Sequence, residues 1–219
     1  NIYSLSNLID NLKLNSPSCT FVFFSSSEVY SPLIEKSFKF LPTRPDVDLL
    51  INDKTINRDS YYLSKIIGEK LIKFSGLKHI ILRPHNIYGP EMGFRHVISE
   101  LIKKNQKDNC KVFSPNHTRA FCYIDDAISQ IYKISFNRKC TNKVFNIGNP
   151  YGEITMFNLA KKIKKIMNSK TKLIKGPVTT GSPKRRYPSI SKNLNFIKPD
   201  KFTKIDLGII KTLKWIKEK

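Results

Sequence analysis

No apolar run in this 219-residue chain approaches the ~20 residues that a membrane-spanning helix requires. Nothing at its start reads as a basic, apolar, small-residue leader, so no membrane partner is expected and the expected setting is cytoplasmic. Cysteine is scarce: Cys19, Cys110, Cys122 and Cys140 are widely spaced with no CxxC pair. That spacing suggests neither a disulfide framework nor a zinc site and leaves reduced, buried thiols as the default. His85, His96 and His117 show no ligand spacing, so no metal is assigned to them. None of the nine glycines falls into G-x-G-x-x-G, and the chain opens on Asn1 without a Met. Acidic residues are few, 17 against 39 basic ones, for a net charge of +22.

Such an excess can mark a nucleic-acid or anionic-membrane partner. Its distribution argues against one, because the lysines are spread along the whole chain. The densest run, "KKIKK" at Lys161 to Lys165, lies over Met156, Leu159, Ala160, Ile163 and Met167 at helical spacing. The lysines then form the solvated face of an amphipathic helix, and no nucleic-acid partner is expected.

A chain of this length with 40% hydrophobic residues can bury a real core. Short β-rich runs alternate with helix-period segments, the pattern of an α/β fold with parallel strands. Residues 4–14 and 61–74 read as helices, and 20–24 and 78–82 as buried strands. After the Pro and Gly breakers of "RPHNIYGP" come a helix near 94–104, strands near 111–113 and 120–124, and a helix from Asp125. "KVFNIGNP" reads as a strand entering a turn, Thr155 as the cap of the next helix, and 207–217 as a closing helix. The stretch from Pro32 to Arg58 has little periodicity and reads as a long functional or disordered loop. An α/β sheet that begins directly with a helix is expected to be part of a longer one.

Tyr61 and Lys65 are four apart in "YYLSK" and so share a helix face. An ammonium near a phenol favours the phenolate and suits it to general-base work. Alone the pair is weak, since roughly one Y-x-x-x-K match is expected by chance in a chain this rich in both residues. It occurs, however, within an ordered set: "SSSEVYS", "YYLSKIIGEK", "ILRPHNIYGP", "RAFCYIDDA", "VFNIGNP" and "GSPKRRYPSISK". With that set the sequence resembles, from Asn1 to its last helix, the extended short-chain dehydrogenase/reductase family of NAD-dependent nucleotide-sugar epimerases, dehydratases and decarboxylases.

The resemblance implies a catalytic Ser26, Tyr61 and Lys65 beside the nicotinamide of NAD. Tyr61 would take the proton of the sugar's 4-hydroxyl, Ser26 would bond the same oxygen, and Lys65 would lower the tyrosine pKa while holding the cofactor ribose. Pro84 and Asn86 would lie near the nicotinamide and the diphosphate of a nucleotide-diphosphate sugar. Arg119, Arg185 and Arg186 are implied phosphate ligands, for which a planar guanidinium fork is suited. Ser27-Glu28 most resembles the Thr-Ser-Glu of UDP-glucuronate decarboxylases, where dTDP-glucose 4,6-dehydratases carry Asp-Glu. Glu28 then either acts near C5 or merely caps or pairs with a basic group; both stay open. Tyr88, Gly89 and Pro90 read as a turn, and Asp125 and Asp126 as a helix start rather than a metal site.

Two departures stand out. Ser189 occupies a place where Asp is usual, and the family's first ~100 residues, with the glycine-rich fingerprint, have no counterpart here. The expected fold is therefore a Rossmann-type parallel sheet lacking its N-terminal half, with a smaller mixed C-terminal lobe. Residues 1–90 would carry the catalytic part, and 91–219 mainly the substrate-binding lobe, with segments near 118–150 returning to the sheet domain. Family dimers imply a homodimer of the full-length protein through the helices at 4–14 and 61–74. The expected activity is epimerisation, decarboxylation or dehydration, in that order, through a transient 4-keto sugar, with this chain alone inactive. A non-catalytic sugar-nucleotide binder or a basic nucleic-acid module is the alternative of another class.

Overall fold

The run "TFVFF" between two amphipathic segments opens a β-α-β unit, and a computed structural model describes it within residues 2–52 and 59–218. Helix α1 spans Ile2–Asn15, strand β1 Thr20–Phe24 and helix α2 Ser31–Lys36. Helix α3 follows at Asp59–Phe74, β2 at Lys78–Pro84, β3 at Ile87–Tyr88 and α4 at Val97–Lys104. Next come β4 (Asn109–Val112), β5 (Thr118–Ala120), β6 (Cys122–Tyr123), α5 (Ile124–Ser135) and β7 (Lys143–Ile147). The chain continues with β8 (Glu153–Thr155), α6 (Met156–Ile166), β9 (Lys172–Lys175), β10 (Arg185–Arg186), α7 (Ser191–Leu194) and α8 (Ile205–Glu218).

The stretch from 32 onward differs from its reading as loop. Ser31–Lys36 is helical with Pro32 in its first turn, and Phe38–Phe40 forms a 3-10 turn. Pro is pre-organised for a helix start, and Leu33 and Ile34 are buried there. A helix of six residues is too short to announce a period, so packing beside Val29, Tyr30, Tyr62 and Ile66 specifies it. The end of that stretch, residues 53–58, lies outside the described residues. The strand expected near 120–124 is broken at Phe121 into β5 and β6, which pair with different partners. Thr155 does cap α6, its hydroxyl accepting from the Asn158 amide at 3.1 Å.

Strands β1, β2 and β7 form a parallel sheet in that order, with Phe24 opposite Leu82 and Arg83 opposite Asn146. Side chains alternate between the faces of a strand. Val22, Ile80, Leu82, Phe145 and Ile147 therefore meet Ala127 and Ile134 of α5 on one face. On the other, Phe21 and Phe23 pack with Ile9 of α1 and Ile72 of α3. The second core lies among α4, α6, α8, β4 and β6, around Ile98, Ile102, Leu159, Ile163 and Ile209. Phe145 and Leu159 are fully buried in their respective cores. Among the described residues, no helix is long and apolar enough to cross a membrane, and the four cysteines are free thiols.

Helix α8 meets the second core at Gly208, where a Cβ would overlap Tyr88 Oη. Tyr88 cannot give way easily: it is buried, its hydroxyl donates to the Ile205 carbonyl at 3.3 Å, and Phe121 and Tyr123 abut its ring edge-on. Gly208→Ala is expected to lower unfolding free energy by about 1–3 kcal/mol through overpacking, measured by urea denaturation. Unchanged stability would mean that α8 can back away from Tyr88.

Candidate active site

The carboxyl ends of parallel strands are where open α/β sheets place their ligands, and Ser26 and Lys65 lie at the end of β1. Ser26 follows β1 in extended conformation and caps a 3-10 turn at Ser27–Tyr30. Its Oγ accepts from the Glu28 amide at 3.1 Å, which leaves the hydroxyl proton available for donation. Lys65 of α3 donates from Nζ to the Phe24 carbonyl at 2.8 Å. The same ammonium lies 5.2 Å from the Phe23 ring centre and 5.8 Å from that of Tyr61. Burial lowers the Lys65 pKa from the ordinary lysine value. Tyr61, one turn away, remains 48% exposed.

Glu28 and Arg186, distant in sequence, form one unit. Arg186 donates from Nη1 to Glu28 Oε1 at 2.6 Å and from Nη2 to Oε2 at 3.0 Å. Ser31 joins them, accepting from Arg186 Nη2 at 2.7 Å and donating to Glu28 Oε2 at 3.1 Å. The Arg186 side chain is buried, whereas that of Glu28 keeps 29% exposure. The phosphate role expected of Arg186 therefore meets a different finding: its fork already holds a carboxylate. Arg185 points elsewhere, with Nε and Nη2 donating to Glu153 at 2.9 and 2.7 Å. That bonding holds the Glu153 carboxyl below the usual carboxylate range.

Asn86 and Arg119 meet at another place, a cleft of about 270 Å³ that also carries Arg95, Lys104, Lys111 and His117. Asn86 has a left-handed backbone, φ 42°, which Asn tolerates better than most residues. Its side-chain amide donates to the Ala120 carbonyl at 3.1 Å. Arg119 donates to Ser182 Oγ at 2.9 Å and to the Thr118 carbonyl at 2.7 Å. Four cations around one cleft, with Glu100 already bonded to Lys104 at 2.5 Å, favour an anionic occupant. Pro84 ends β2 opposite Ile147, half-buried.

Several residues of the site were not singled out in the sequence. Arg83 and Glu69 form a buried ion pair at 2.6 Å, with both side chains 2% exposed. Tyr30 accepts from Arg83 Nη1 and donates to Asn146 Oδ1, each at 2.7 Å. Burial pushes the Tyr30 hydroxyl up to about 12 despite the nearby Arg83 charge. His85 lies fully buried beside this group, its Nε2 3.3 Å from Asn146 Oδ1. The available signal was Glu69 itself, one helical turn beyond Lys65 in "YYLSKIIGEK" and thus a charge on an inward face.

Whether these residues fit NAD is decided by their donors. An ammonium carries three N–H groups, and one of Lys65's is used by Phe24, leaving donors for ribose hydroxyls beside an open Tyr61 ring. The nicotinamide-ribose half fits; the glycine cradle for the pyrophosphate has no counterpart in this sequence. Among the described residues no group of three or more His, Cys, Asp or Glu side chains converges as a metal site would require.

A parallel β1-β2-β7 sheet with helices packed on both faces is an α/β fold. Residues 1–148 match the NAD dependent epimerase/dehydratase family, and the chain belongs to it. UDP-glucuronic acid decarboxylase 3 of Arabidopsis thaliana is 32% identical over 143 residues, 62% of this chain and 41% of the relative. The chain thus spans about 41% of that relative's length. UDP-glucuronic acid 4-epimerase of Bacillus cereus, solved with UDP-glucuronic acid and NAD, has 22% identity and a TM-score of 0.80 over 99% of this chain and 67% of its own. UDP-glucose 4-epimerase of Thermotoga maritima gives a TM-score of 0.83 at 20% identity, over 99% of this chain and 69% of its own. These likenesses establish the expected Rossmann-type fold.

Burial and the Arg186 charge push His85 down to about 3, with the Arg83 charge acting in the same sense and Asn146 and Glu28 opposing them. It stays neutral in the fold while the unfolded chain takes up a proton below about 6.5. Stability should therefore fall as pH drops from about 6.5 toward 3, by about 1.4 kcal/mol per pH unit from this group. Urea denaturation at pH 7, 5.5 and 4.5, read against His85→Asn, is expected to show a flatter acid limb in the variant. Parallel limbs would mean that His85 is protonated in the fold.

Proposed function

We propose that the protein takes part in NAD-dependent conversion of a nucleotide-diphosphate sugar through a transient 4-keto intermediate, as an epimerase or dehydratase. The observation that supports this reading is the Lys65 ammonium, bonded at 2.8 Å to the carbonyl of Phe24, two residues before Ser26, and 5.8 Å from the Tyr61 ring centre, in a member of this family. NAD, when bound, supplies a hydride acceptor for C4 and returns the hydride at the end. Tyr61 takes the proton of the 4-hydroxyl as general base. Ser26, whose Oγ is already oriented by the Glu28 amide, donates to the same oxygen. Lys65 and Tyr61 hold the nicotinamide ribose, with Pro84 beside the ring.

Asn86 and Arg119 bind the diphosphate, whose charge suits the basic cleft. Arg185, the other implied phosphate ligand, is held by Glu153. Residues 1–90 carry the catalytic part in this reading, and 91–219 mainly the substrate lobe, with the segments near 118–150 returning to the sheet. A homodimer through α1 and α3 belongs to the same reading, supported by the exposed Tyr3, Leu14 and Phe74. A one-copy mass in sedimentation equilibrium would refute it.

Decarboxylation is a second reading, favoured by the Glu28 carboxylate fixed by Arg186 and Ser31. A 4-keto group makes the carboxylate on C5 labile, and Glu28 is held where it can manage a proton there. Binding without turnover is the alternative of another class.

Incubation with NAD and a panel of UDP-, dTDP- and GDP-sugars, followed by product mass and NMR, separates these. An unchanged mass means epimerisation, loss of carbon dioxide decarboxylation, and loss of water dehydration. Tyr61→Phe is expected to reduce turnover by about 10²–10⁴-fold while equilibrium binding of the nucleotide sugar stays within severalfold. Undiminished turnover in that variant would remove Tyr61 from the role of base. These assays are run on the full-length protein with its dinucleotide-binding half, since this chain alone is expected to be inactive; no turnover there would leave only the binding reading.

A further inference from the structure

The end of the sheet beside Ser26 carries a row of buried polar side chains. In β1 and β2, Phe24 is opposite Leu82, so the next residues along the two strands are Ser25 and Arg83. In β2 and β7, Arg83 is opposite Asn146. Ser25, Arg83 and Asn146 thus form one row across three strands, on the face that α3 covers. Ser25 is immediately followed by Ser26, and Arg83 by Pro84. Glu69, the α3 residue that reaches this row, lies one turn from Lys65 and two from Tyr61. Ser25, Arg83 and Glu69 are therefore each neighbours of a candidate site residue.

The bonding within the row is complete. Glu69 Oε1 accepts from Ser25 Oγ at 2.5 Å and from Arg83 Nε at 2.8 Å, and Oε2 accepts from Arg83 Nη2 at 2.6 Å. Arg83 Nη1 donates to Tyr30 Oη at 2.7 Å and to the Pro45 carbonyl at 3.0 Å. Glu69 is 1% exposed and Ser25 4%, so water does not compete for these bonds.

We infer that Ser25 and Glu69 are positioning residues: their bond sets the distance and rotation of α3 against the end of β1, and so aims Tyr61 and Lys65 at the atom that Ser26 addresses. The inference rests on the proposed reaction. The alternative is that the row only stabilises the fold. The two differ because a positioning bond must act on Lys65, whose surroundings are the Phe24 carbonyl and the rings of Phe23 and Tyr61. Loosening α3 there would free the ammonium into water and return its titration toward that of an ordinary lysine.

The test is Ser25→Ala, which removes one hydroxyl and leaves the ion pair, with Ser25→Thr as the conservative rescue. Glu69→Gln is the harsher companion, informative only where it folds. The Lys65 titration is followed through its ¹³Cε resonance, assigned with Lys65→Arg. Ser25→Ala is expected to move the midpoint upward and Ser25→Thr to restore it. Turnover in Ser25→Ala should fall about tenfold, within the range that small misplacements cost, with KM for the nucleotide sugar within twofold. A Lys65 titration identical to that of the unmodified protein would overturn the inference, whatever happens to the denaturation midpoint. If the full-length protein turns over no nucleotide sugar, the proposed reaction has failed, and the titration still reports separately whether Ser25 positions Lys65.

Discussion

An arginine and a glutamate without water around them set the terms for the end of the sheet. Removing each charge from water costs several kcal/mol, and the attraction between them offsets this only with good geometry and full hydrogen bonding. Arg83 and Glu69 meet both conditions through two mutual contacts, Ser25, Tyr30 and the Pro45 carbonyl. Hydrogen bonding to Glu69 even raises the Arg83 pKa, although burial alone would lower it. The consequence is geometric. A pair that is costly unless satisfied permits one arrangement of α3, β1, β2 and the loop at Pro45, and that arrangement sits directly beneath the candidate site.

A second unit, Glu28 with Arg186, ties that site to β10. Arg186 belongs to β10, which pairs with β5 so that Arg186 is opposite Arg119. The strand register therefore links the carboxylate beside Ser26 to the cation that lines the basic cleft. Asn146 extends the connection by donating to the Thr43 and Ser189 carbonyls and accepting, at its own carbonyl, from Asn193. Ser189 contributes its backbone carbonyl here, a contact that needs no acidic side chain. The β1-β2-β7 sheet and the β10-β5-β8 sheet are thus tied together by groups whose unmet hydrogen bonds would be expensive.

What the sequence made legible was whatever has a period or a cap. The apolar run at Thr20 to Phe24, the helix carrying Tyr61 and Lys65, and the Thr155 cap all lie where their patterns place them. Helix α2 was hidden because it is specified by burial of Leu33 and Ile34, not by repetition. The site divided in the same way. Ser26, Tyr61 and Lys65 follow from local order along the chain, whereas the Glu28–Arg186 pair joins residues 158 positions apart. Adjacent arginines look alike in a sequence; only the β10 register turns Arg185 toward Glu153 and Arg186 toward Glu28.

The large positive charge teaches a related lesson about convergence. Lys161 and Lys165 lie exposed along α6 while Leu159, Ala160 and Ile163 are fully buried beneath them, so their charges are screened within about a Debye length. Arg95, Lys104, Lys111 and Arg119 are fewer, yet they converge on one cleft. Low-dielectric walls focus a field that open solvent would disperse. Net charge thus describes the chain as a whole, but attraction of an anion depends on where a few cations meet, and here they meet on the side where Asn86 leaves the sheet.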